Sequence, residues 1–262
     1  MENPSLHRYA VLAAACTALL FITGPVVSTS EERPLYSLGQ THAWLGAAVT
    51  VLMAGLLIWL SRSKEQVWLR RLAWAALGAN IVQDLVAFES APLPVSVRIA
   101  HSLLGQLFFL ATVAIAVFTS RSWNQVPKAV LDGSRARSLA TTTAALVLLQ
   151  VTLGAAFRHG VTGGLLHILD ALVVAVFLGP AMVAILRTET PDVRSAAIAL
   201  IMLTAVQLLL GFALLTMQSF DDVDPLVVII ATTAHVAIGA LTLAAAVVTA
   251  ILIRRVTATP DP

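Results

Sequence analysis

The chain has 262 residues, of which 58% are hydrophobic and 11% charged, with a mean hydropathy of +0.89 and a formal net charge of +2. These values lie outside the range of soluble globular domains and within that of multi-pass membrane proteins. The small net charge, with basic residues scattered among loops, excludes a nucleic-acid-binding face, and the single cysteine, Cys16, excludes an internal disulfide or a cysteine-based metal cluster.

A bilayer core requires about 20 apolar residues per helix. Eight segments reach that length, over approximately residues 9–28, 41–60, 67–88, 97–119, 138–158, 163–187, 195–217 and 227–253. The first, from Tyr9 to Val27, follows only Arg8 and is long for a signal-peptide core, so it reads as a retained span. The third carries Asn80, Gln83 and Asp84 and is therefore expected to be buried among other helices. Trp44, Trp59, Trp68 and Trp123 fall near segment ends, where amphipathic rings anchor helices at the membrane interface.

Loop charge gives a second reading, independent of hydropathy. One alternate set of loops holds 13 Lys and Arg residues, whereas the other holds only Arg33, Arg98 and Arg158. Under the positive-inside rule the first set, with both termini, is cytoplasmic, or matrix-facing in an organelle. Segments two, four, six and eight then all run inward. His42, His101, His167 and His235 all fall in their outer parts.

A neutral imidazole in apolar surroundings is a ready metal ligand, and four at matched depth on alternate helices suit two cofactors near the outer surface. Gly46, Gly105 and Gly239 each follow a histidine by four residues, with Ala171 in the fourth case. Residues i and i+4 share a helix face, so each glycine is expected to leave a flat opening against which a porphyrin could lie. The third, fifth and seventh segments share a Leu-Gly step: Leu77-Gly78, Leu153-Gly154 and Leu210-Gly211, the last two preceded by Gln150 and Gln207. Ala100-His101 with Gly105 matches Ala234-His235 with Gly239, and paired histidines are offset by 125 and 134 residues. The expected fold is an all-α polytopic membrane protein, with eight transmembrane helices in two duplicated four-helix bundles, residues 1–125 and 126–262. His42 pairs with His101 and His167 with His235. His7 precedes the first span, and Asp170, on the face of His167, is a candidate to orient a polar partner.

On these residues the chain resembles the heme A synthases of cytochrome oxidase assembly. The resemblance covers nearly the whole chain, and its closest local match is Gln150 to His159, where Leu-Gly is followed by Arg-His just outside the membrane. It implies a bacterial plasma-membrane protein, or one of the mitochondrial inner membrane, that oxidises a methyl group of heme O toward heme A. His42 and His101 would flank the heme O substrate, and His167 and His235 would ligate the iron of a heme b. Arg98 and Arg158 are placed to pair with heme propionates, and a heme O synthase is the implied partner. Family members carry a glutamate three residues before the first histidine and an arginine after it, where this chain has Gly39 and Ala43; the cysteine pair of many bacterial members is absent from Ser28 to Gln40. Glu31 and Glu32 are then the nearest carboxylates in the outer loop. The alternative class is a non-catalytic diheme b-type electron carrier or heme-handling protein on the same scaffold.

Overall fold

The structure is a computed structural model that describes residues 3–29, 36–63, 66–88, 93–124, 133–186, 190–220 and 222–257. All regular structure among the described residues is helical: α1 (Pro4–Thr29), α2 (Tyr36–Arg62), α3 (Val67–Ala87), α4 (Val95–Phe118), the short α5 (Arg121–Asn124), α6 (Gly133–Arg158), α7 (Gly164–Leu186), α8 (Pro191–Met217) and α9 (Pro225–Val256). Helices satisfy every backbone donor and acceptor internally, as a hydrocarbon environment demands.

Seven of these helices are long and apolar enough to cross a membrane. α3 is not among them, because Arg70, Arg71, Asn80, Gln83 and Asp84 dilute its apolar surface. Its polar residues turn inward as expected: Asn80 and Gln83 are buried, and α3 packs against α2 and α4.

The chain divides into two compact units, one of residues 1–124 with 210–240 and the other of residues 125–209 with 241–262. In the first, α1 packs on α2 and α4, α2 on α3, and α3 on α4, so the four helices close into a bundle. Antiparallel neighbours put the start of α1, the end of α2, the start of α3 and the end of α4 at one level. Leu6, Met53, Leu56, Leu60, Leu69 and Ile115 interlock there without solvent exposure. Tyr9 donates to the Leu52 carbonyl at 3.1 Å and meets Trp59 in a tilted ring contact, while Trp68, Phe118 and Trp123 form an aromatic chain at the same end. Trp44, largely exposed, meets Phe88 at the opposite end. Two aromatic levels separated along the helices fit interfacial anchoring.

In the second unit α6 packs along α7 through a tight turn. Val161 N–H donates to the Ala156 carbonyl and Gly160 N–H to that of Phe157, the paired bonds of a Schellman cap. Gly160 has φ 73°, a left-handed conformation that a Cβ would strain. That single glycine reverses the chain between Gln150 and His167.

Candidate functional site

The candidate residues of the first bundle lie at the end away from the apolar core. His42 on α2 and His101 on α4 come together with ring centres 6.2 Å apart and planes at 66°. Two imidazoles on opposite sides of one metal ion, each bonded at about 2 Å with its ring centre about 1 Å further out, are separated by roughly 6 Å. The ring centres of this pair stand at about that separation, in an edge-on arrangement.

Hydrogen bonding orients the His42 ring. Thr23 on α1 meets His42 Nδ1 at 2.8 Å and has the Leu20 carbonyl as an acceptor for its own proton at 3.4 Å. The arrangement that satisfies all three groups has Nδ1–H donating to Thr23, which leaves the Nε2 lone pair for a metal. His101 Nδ1 is buried without a hydrogen-bond partner. Among the described residues no group of three or more His, Cys, Asp or Glu side chains assembles. A metal ion needing three or more protein ligands is thus poorly served by the described residues, whereas a group that brings its own further donors would ask the protein for only two imidazoles.

The glycines have a different use from the one expected. A Cβ on Gly46 would lie 2.5 Å from Asp84 Oδ1, and one on Gly105 would lie 3.0 Å from Gln83 Nε2. The openings one turn beyond His42 and His101 are filled by polar side chains of α3, not left flat for a porphyrin. Asp84 Oδ2 accepts from Thr50 at 2.6 Å, Asn80 donates to Thr50 at 2.6 Å and to the Gly46 carbonyl at 3.3 Å, and Gln83 donates to the His101 carbonyl at 2.8 Å.

The histidines rest on another set of glycines. Cβ atoms on Gly24, Gly154 and Gly211 would stand 3.1, 3.0 and 3.1 Å from Cε1 of His42, His167 and His235. In each case the glycine belongs to the helix preceding the histidine. The Leu-Gly steps at Gly154 and Gly211 are accounted for in this way, but Gly78 has nothing within 4 Å, so the third segment's step does not share the role. Gln150, one turn before Gly154, approaches His167 Nε2 at 3.3 Å from the same helix face, and Phe157 stacks near that ring at 6.4 Å. Thr23 and Gly24 were not singled out in the sequence; their only signal is a polar and a small residue side by side in an apolar span.

The remaining candidates are more dispersed. Arg98 lies on α4 one turn before His101, and Arg158 closes α6 beside His159, both half-buried. Asp170 is buried one turn after His167, with Oδ2 lacking a hydrogen-bond partner. His7 meets the Ala116 carbonyl at 3.0 Å near the apolar end. Glu31 and Glu32 lie outside the described residues. His167 and His235 belong to different compact units. In comparison with known proteins, no protein-family model matches this chain and no curated protein matches it.

Proposed function

We propose that the chain is a membrane-embedded, heme-binding oxidoreductase of the heme A synthase type, oxidising a methyl group of heme O toward heme A. The observation that carries this reading is the facing pair His42 and His101, 6.2 Å apart, with Thr23 orienting the first ring. In this reading α3 is the eighth span, completing two four-helix halves, residues 1–125 and 126–262. Both termini are on the cytoplasmic side of a bacterial plasma membrane, or on the matrix side of the mitochondrial inner membrane. His42 and His101 hold the substrate heme O, and His167 and His235 hold a heme b. Bound heme supplies redox chemistry that no side chain here provides. The residues of the chain bind and orient it: Gly24, Gly154 and Gly211 give the imidazoles room, and Arg98 and Arg158 are placed for the propionates. Glu31 and Glu32 offer carboxylates from the outer loop, and a heme O synthase is the partner that would deliver substrate.

The second reading, a non-catalytic diheme carrier or heme-handling protein, is favoured by position 39. Glycine there supplies no acid or base, and among the described residues the nearest neighbour of a Cβ on Gly39 would be the Val27 side chain at 3.9 Å. Co-expression with a heme O synthase, followed by an absorption spectrum and chromatography of the extracted hemes, separates the two. Heme A or its hydroxylated intermediate supports the enzyme, and bound heme without conversion supports the carrier. A protein purified with no heme at all overturns both.

A further inference from the structure

We infer that Asp84 is a proton-exchanging residue of the His42–His101 site, supplied from α3. A carboxyl on a membrane helix is costly unless partnered, and such groups mark proton or ligand pathways. The surroundings of Asp84 are built for it. His42, Gly46 and Thr50 follow one another at intervals of four residues on one face of α2. Gly46 leaves room for Oδ1, since a Cβ there would lie 2.5 Å away. Thr50 holds Oδ2 at 2.6 Å, and Asn80, one turn back on α3, donates to Thr50.

The chain of donors has a direction. Asn80 donates to Thr50 and Thr50 to Oδ2, so Oδ2 is committed as an acceptor in either protonation state. Oδ1, lying over the bare Gly46 backbone, is the oxygen that takes up and releases the proton. One helical turn, about 6 Å along α2, separates that oxygen's level from His42. Gln83, the neighbour of Asp84, mirrors it on the other side by entering the space at Gly105, one turn from His101, and its buried Oε1 has no hydrogen-bond partner. The third helix thus brings polar groups beneath both histidines. The described titratable groups at this end of the elements packed on α3 are His42 on α2, and Arg98 and His101 on α4. No second carboxylate on those elements competes for the proton.

The role of this proton rests on the heme reading, whereas its exchange can be measured without heme. The experiment is infrared difference spectroscopy of the full-length protein in lipid nanodiscs. It follows the carboxyl C=O stretch through a pH change and H/D exchange, and then through heme reduction in heme-loaded protein. In the unaltered protein a band that responds to pH is expected; it should be absent in Asp84→Asn, which keeps the Thr50 hydrogen bond, and shifted in Gly46→Ala. With heme bound, reduction should move the same band. A spectrum identical in Asp84→Asn, a band indifferent to pH and deuterium, or a heme whose reduction leaves the band unmoved overturns the inference while leaving heme binding intact. Protein that binds no heme but keeps a titrating Asp84 band overturns the enzyme reading and supports the proton exchange.

Discussion

The His167 imidazole is seated on Gly154, where an added Cβ would come 3.0 Å from Cε1 and 3.3 Å from Nδ1. Glycine at 154 is thus a requirement of the neighbouring helix, and the contrast with Gly78, which has nothing within 4 Å, makes it testable. In the heme-binding reading, Gly154→Val is expected to displace the ring and lower the heme content of the purified protein. Gly78→Ala should leave heme content and expression unchanged. Equal heme content in both variants would refute the seating role.

The cofactor assignment predicts that His167→Ala and His235→Ala each abolish a low-spin b-type absorption band, because two imidazoles supply both axial positions. Membrane insertion should persist in each, since one polar side chain contributes little to spanning. An unchanged visible spectrum in both variants would place the heme elsewhere.

Thr50 bonds to Asp84 and accepts from Asn80, so Thr50→Val should destabilise the bundle. Interhelical hydrogen bonds in membrane proteins are worth about 0.6 kcal/mol on average and roughly 1.7 at most. A loss in that range in detergent unfolding is expected, together with a change in the Asp84 infrared band. Full stability with an unaltered band would remove Thr50 from the network.

The asymmetry of 13 basic residues in one set of loops against three in the other predicts that a reporter fused after Arg255 is active on the cytoplasmic side, and one in the loop containing Asp222 and Asp224 on the outer side. The opposite pattern would invert the orientation. Equal signals from both fusions would mean that α9, the helix between them, does not span.

Much of the fold was legible because apolar length alone marks a bilayer-crossing helix. Helices form at all eight segments expected from sequence, with ends differing by up to five residues, and seven of them, all but α3, are long and apolar enough to cross a membrane. The burial of Asn80 and Gln83 followed from the cost of exposing amides to hydrocarbon. The facing glycines were harder to read. Spacing on one helix shows that Gly46 shares a face with His42, but it cannot say which neighbour that face meets; Asp84 is 38 residues away in sequence and reaches Gly46 only through the crossing of α2 and α3. Thr23 and Gly24 escaped notice for a similar reason, since their partner His42 lies on the next helix.

Within the first bundle, the fully buried large side chains Leu6, Met53, Leu60, Leu69 and Ile115 lie at one end, while the imidazoles and their polar neighbours occupy the other. Truncating a buried Leu, Ile or Met costs about 2–5 kcal/mol, so the apolar end acts as a keel that holds the helices in register whatever happens at the opposite end. Side chains at that other end can therefore change without unseating the helices. Selection can rewrite the chemistry at that rim, or let it lapse, without first having to rebuild the hull.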